Sequence, residues 1–388
     1  MWMTSSQTWT GRSVSRQPSC KLSARRSGVP PHVVKARDFG QRFVRMRRMK
    51  PVPMAVPLGV LLLSTTLVFA QEQQFGNLGD LQLQSGEVLH NCRLGYRTAG
   101  HVDADQSNIV VIPTWAGGKT EQWLPNVGPG KMVDTSKYYV ILIDALSNGV
   151  SSSPSNSAGE PRMHFPKITM RDMVDSEYQL LTKVLHINHA KAFLGISMGG
   201  MQTFQWTVEY PDFMEKAIPI VGSPRPAPYD LVHWQAQIDA IKDNKDWQGG
   251  EYTHNPARDA EYEFGSILLT TPQEFNKTHT RQQVLKELAE AKTSNQGSDA
   301  NDKIRQVEAM MSLNVAEPYG DSLEKAAAAV KARLLVIVGK EDHTVTPSPA
   351  IEFAHALGAQ LLVIDDGCGH QYCDHAGVEK AVADFLEK

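Results

Sequence analysis

Cysteine is scarce in this chain, with four in 388 residues. Cys20 lies near the front, so Cys92, Cys368 and Cys373 are all that the remainder offers. Three thiols allow one disulfide and one free thiol, which excludes a disulfide-framework protein. No internal repeat is visible. Acid is almost missing from residues 1–50, which hold twelve Lys/Arg against the single Asp38. Charge of either sign is missing from residues 51–70, PVPMAVPLGVLLLSTTLVFA. A basic stretch, an apolar core, and the small Val68 and Ala70 ahead of Gln71 form a secretory signal pattern. Cleavage is expected after Ala70, giving a periplasmic or secreted protein. The apolar core from Met54 is short for a bilayer span, and three prolines interrupt its start. Membrane contact is therefore expected only through this segment, if it stays uncleaved. Residues 1–50 carry no fold signal. They read as a disordered basic arm, or as sequence ahead of a true start at Met46 or Met49.

Base is what the remainder lacks. Of 39 Lys/Arg and 42 Asp/Glu, residues 71–388 keep 27 and 41, a net charge of −14. That surface excludes nucleic acid as a partner. A homodimer stays open. The length suits one large core with an insertion.

Short apolar runs alternate with helical patterns. Strands are expected at 87–100, 108–114, 138–145, 190–195, 215–221, 333–339 and 359–365. Their unbroken apolar character suits strands covered on both faces of a mainly parallel sheet. Helices are expected at 170–185, 197–211 and 376–388. This alternation predicts an α/β fold flanked by helices, with right-handed crossovers. Between Arg225 and Lys331 the rhythm breaks. Helical patterns at 229–243, 271–292 and 302–313 precede another at 321–332, with Asp321 and Glu324 at capping-box spacing. Residues 225–331 therefore read as a helical lid inserted in a core of 71–224 and 332–388.

The strongest chemical signal is AFLGISMGG, residues 192–200. Gly195, Ser197 and Gly199 form G-x-S-x-G directly after a strand and before a helix. Such a turn lifts the serine hydroxyl into the open at a helix N-terminus. A serine needs a base, and the base needs an orienting acid. On this fold the order is Ser, acid, His. Asp342 follows the strand RLLVIVG, with Glu341 as the alternative. His370 follows the strand at 359–365 in a Gly-His context that His343 and His375 lack. Oxyanion donors are expected from the Met198 N–H and from the loop 114–118, at Ala116, with Trp115 next.

The stretches HFPKITMRDMV (164–174), GISMGGMQTFQWTVEYPD (195–212) and DSLEKAAAAVKARLLVIVGKED (321–342) resemble homoserine O-acetyltransferases, within the α/β-hydrolase superfamily. The similarity runs from about 85 to 386. It implies the α/β-hydrolase fold, a helical lid, a triad of Ser197, Asp342 and His370, and an arginine near Arg225 for a substrate carboxylate. It also implies acetyl-CoA as co-substrate if transfer is the reaction; no resident cofactor is expected. Two motifs depart from the family: TWAGG replaces its oxyanion loop, and Gln371 stands where an acceptor-binding Asp is usual. A neutral amide does not pair with an ammonium group as a carboxylate does. With the export signal, these departures point to hydrolysis of an ester or similar acyl bond in a small molecule, with water as acceptor and transfer to a homoserine-like hydroxyl as the alternative. A non-catalytic binding protein on the same fold is the remote third reading.

The stretch DDGCGHQYCDH (365–375) could by itself hold a metal, since Cys368 and Cys373 are loosely at zinc spacing. No second Cys/His pair completes a tetrahedral site, so no metal is expected. In an oxidising compartment the two cysteines would close a small ring around the histidine loop.

Overall fold

In a computed structural model of the chain, residues 72–257, 259–294 and 298–388 are described, without the side chains of 260–262. The expected basic arm and signal segment lie outside the described residues. Among those residues no helix is long and apolar enough to cross a membrane.

Eight strands form one sheet: β1 (Gln74–Gln82), β2 (Val88–Ala99), β3 (Ile109–Pro113), β4 (Tyr139–Ile143), β5 (Ala190–Ile196), β6 (Met214–Ile220), β7 (Arg333–Gly339) and β8 (Gln360–Ile364). Their spatial order is β1-β2-β4-β3-β5-β6-β7-β8. β2 pairs antiparallel with β1 and β4, and every other pair is parallel. The unbroken apolar strands are explained by two cores. Val111, Ile141, Phe193 and Val336 face one side, while Val110, Val140, Leu194 and Ile337 face the other. A strand between two dry layers has no polar face to alternate with. β1 was not expected. It is an edge strand in which only Gly76 and Leu81 are buried, so it carries little apolar signal.

Helices α1 (Met170–Gln179) and α2 (Met198–Glu209) pack together on the first core. Thr169 caps α1 reciprocally with Asp172, and the expected run to 185 finishes as a π-helical turn over Leu180–Val184. Between β6 and β7 the described chain is helical: α3 (Pro228–Asp243), α4 (Asp259–Leu268), α5 (Pro272–Thr278), α6 (Arg281–Ala291), α7 (Ala300–Met311) and α8 (Leu323–Ala329). The single helix expected at 271–292 is two, because Thr280 takes a non-helical conformation and caps α6. The Asp321 capping box does not form. Asp321 sits at φ 60°, and Ser322 caps α8 by accepting from the Lys325 N–H. α8 packs on α9 (Ser348–Leu357) and α2, and α10 (His375–Glu387) covers the second core.

Candidate active site

Ser197 occupies the turn from β5 into α2 at φ 56°, ψ −121°. A non-glycine residue rarely adopts such a conformation, and strain of this kind clusters at functional sites. Two glycines make the turn feasible. A Cβ on Gly195 would lie 2.1 Å from the Gly199 carbonyl oxygen, and one on Gly199 would lie 2.6 Å from that of Pro113. The Ser197 N–H donates to the Ile220 carbonyl, which ties the turn to β6.

The structure brings together the three residues singled out in the sequence. His370 Nε2 lies 2.9 Å from Ser197 Oγ, and His370 Nδ1 lies 2.7 Å from Asp342 Oδ2. Both Asp342 and His370 are buried. The other Asp342 oxygen accepts from the Thr344 and Val345 N–H groups at 2.8 and 2.9 Å. A carboxylate held this way has one oxygen left, and it faces the ring. Glu341 and His343 are exposed beside it and do not enter this arrangement. His375 also stays out, tilted against Tyr372 at the cavity wall. His233 sits behind the acid loop, where its Nε2 meets the Thr344 carbonyl at 3.1 Å. Burial pushes its pKa down, so the neutral ring donates there.

The loop carrying His370 is held from several directions. Cys368 and Cys373 form a disulfide across it. Asp366 accepts from the N–H groups of Cys368, Cys373 and Asp374. The turn at 268–271, between α4 and α5, adds more. The Leu269 carbonyl accepts from the Gln371 N–H at 3.0 Å, and Thr271 Oγ1 donates to the Gly367 carbonyl. The same turn reaches the acid loop, where Thr344 Oγ1 donates to the Leu268 carbonyl at 2.7 Å. Glu274 lies beside the two sulfurs, but these are bonded to each other and offer no thiolate to a metal.

Ala116 and Trp115 line the same cavity as Ser197. Among the described residues, no hydrogen bond engages the N–H of Met198 or of Ala116. Their loop is pinned on both sides. The Gly117 N–H donates to Gln306 Oε1 of α7 at 2.6 Å, and Asn148 Nδ2 donates to the Gly118 carbonyl. Asn148 in turn donates to Asp144, a fully buried carboxylate that also accepts from Thr120 and Gln73. Residues such as Gln306 and Asn148 carry no motif, so the sequence gives no signal for them.

Ser197 and His370 open into a cavity of about 690 Å³. Trp234, Phe264, Leu268, Leu269, Val307 and Met310 of the helical insertion form one wall, and Trp115, Met132, Tyr372 and Val378 form another. Among the described lining residues, Lys303 and Glu379 alone carry fixed charge. Arg225 is not among them. Past β6 the chain turns its guanidinium to the Asp321 carbonyl at 3.1 Å and toward Glu352 at 3.8 Å.

Comparison with known proteins agrees with this geometry. Residues 107–374 match the family model described as alpha/beta hydrolase fold. A probable esterase of Corynebacterium glutamicum is 30% identical over 309 residues, covering 76% of this chain and 88% of that protein. A homoserine O-acetyltransferase of Geotalea daltonii is 34% identical over 209 residues, covering 49% of this chain and 57% of that protein. The crystal structure of an acetylester hydrolase from Corynebacterium glutamicum superposes with a TM-score of 0.75 at 25% identity, covering 82% of this chain and 96% of that one. The chain belongs to the α/β-hydrolase fold family, in the branch that joins esterases with homoserine O-acetyltransferases.

Proposed function

We propose that this protein is a serine hydrolase of small acyl esters, acetates foremost, working through an acyl-Ser197 intermediate. The observation that carries the reading is His370 bridging Ser197 and Asp342, with Ser197 and His370 in the lining of a largely apolar cavity. In the first half-reaction Ser197 Oγ attacks the ester carbonyl while His370 Nε2 takes its proton. Asp342 orients the ring and stabilises the imidazolium. The Met198 and Ala116 N–H groups receive the oxyanion. The C–O bond to the alcohol breaks, and the alcohol leaves with the proton from His370. Water then repeats the sequence on the acyl-serine and releases the acid. No resident cofactor and no metal take part, and nucleic acid is no partner.

Three observations favour water over an amino-acid acceptor. Gln371 replaces the acceptor-binding carboxylate, and Arg225 is engaged elsewhere. The esterase relative is also matched along more of its length than the acetyltransferase relative. The alternative is acyl transfer from acetyl-CoA to a homoserine-like hydroxyl. Residues 225–331, inserted between β6 and β7, act as the lid in either case. Aryl acetate hydrolysis, lost in Ser197→Ala, is expected beside negligible homoserine-dependent CoA release. Fast CoA release dependent on homoserine would establish the transferase instead. Export is the accompanying proposal. Mass spectrometry of protein recovered outside the cytoplasm should find Gln71 at the N-terminus, and a retained 51–70 segment would refute cleavage.

A further inference from the structure

The geometry points to Gln202 as the positioning residue that sets the spacing between the two oxyanion donors. The inference rests on the serine acyl-transfer reading above. One donor begins α2 at Met198, and the other lies on the loop leaving β3 after Thr114. Gln202 is fully buried one turn into α2. Its Nε2 donates to the Thr114 carbonyl at 3.0 Å and to the Met198 carbonyl at 3.2 Å. One amide therefore ties together the two segments that carry the donors. The amide orientation is fixed by chemistry, because a flipped group would set its oxygen against two carbonyl oxygens.

Thr114 is held at its other atoms too. Its N–H donates to the Ile143 carbonyl, and its Oγ1 accepts from the Ala145 N–H. Its carbonyl is the remaining handle on the direction in which Trp115 and Ala116 depart, and Gln202 holds it. Gly199 lets α2 come this close, since any Cβ there would press on the Pro113 carbonyl. Gln202 Oε1, meanwhile, is buried with no partner among the described residues. Burying an unpaired acceptor is unfavourable. A methionine would fill a similar volume without that penalty, so packing alone does not account for an amide here.

The test replaces Gln202 in the full chain and reads the oxyanion site two ways. The first is kcat and KM for an aryl acetate. The second is the rate at which an aryl fluorophosphonate labels Ser197, a reaction that needs the nucleophile and the oxyanion donors but no carboxylic ester. Gln202→Met should lower both kcat and labelling rate by about 10- to 100-fold with KM within about twofold, less than outright loss of a donor. Gln202→Glu donates only when protonated, so its labelling rate relative to wild type should climb as pH falls. A folded Gln202→Met labelled at the wild-type rate overturns the inference, as does a rise in KM at constant kcat. If Gln202→Met does not fold, the Gln202→Glu ratio decides, and a flat ratio overturns it. A wild type that is labelled but inert toward esters removes the proposed hydrolase activity and leaves the labelling comparison in force. A wild type that is not labelled removes both.

Discussion

Trp206 Nε1 donates to Glu177 Oε2 at 2.6 Å between two helices that leave neither side chain exposed. The second carboxyl oxygen has no partner among the described residues. Burial pushes the Glu177 carboxyl up to about 8, and the indole bond only partly opposes this. The folded protein therefore keeps a proton that the unfolded chain gives up near 4.5. Folding binds the extra proton, so stability is highest below the unfolded value and falls as pH climbs toward 8. The full span is on the order of 5 kcal/mol. Glu177→Gln keeps an acceptor for Trp206 and cannot ionise. Its melting temperature should exceed wild type at pH 8 and converge with it at pH 5. Parallel melting profiles across that range would show that Glu177 is already ionised when folded.

Asp342 spends one oxygen on two main-chain N–H groups and the other on His370. An amide at this position should keep the loop but leave the ring with a mismatched tautomer. Asp342→Asn is expected to cost about 10⁴-fold in kcat, as in the serine-protease case from which that figure comes. Steady-state hydrolysis checks this, and a loss below tenfold would move the acid's role to another group.

The Cys368–Cys373 bond encloses Gly369, His370, Gln371 and Tyr372. For so short a ring the chain-entropy model gives about 2 kcal/mol of stabilisation. Cys373→Ser should lower kcat about tenfold, because Asp366 and Leu269 still hold the loop. Mild reduction of the wild type should reproduce the loss, and reoxidation should restore it. Full activity with two additional free thiols would show that the bond is dispensable.

Gly199 has no room for a methyl group beside the Pro113 carbonyl. Gly199→Ala should destabilise the fold by about 1–3 kcal/mol and slow fluorophosphonate labelling of Ser197. Normal labelling kinetics would mean that α2 can shift without disturbing the nucleophile.

The parallel strands were legible because two cores force continuous apolar runs, as in IVVIP and RLLVIVG. Ser197 and the loops after β7 and β8 were legible because a strand–turn–helix motif and a chain order single them out. β1 was not, since an exposed edge strand needs few apolar residues. α9 was hidden by Pro347 and Pro349, which read as loop but lie at a helix start, where an N–H is not needed. For Arg225 likeness supplies a position along the chain and not the direction of its side chain, which here turns to the Asp321 carbonyl. Gln202 and Gln306 act through contacts with residues 88 and 189 positions away, beyond any periodicity a sequence can display.

The turn at 268–271 belongs to the helical insertion and lines the cavity with Leu268 and Leu269, yet its carbonyls and Thr271 reach the acid loop and the histidine loop. The cavity wall and the two loops are thus mechanically coupled. A chimaera that grafts a foreign helical segment between β6 and β7 would inherit new selectivity only if it also reproduced that turn. An exchange that begins after Thr271 keeps that turn but must also keep Gln306 of α7, whose Oε1 accepts from the Gly117 N–H.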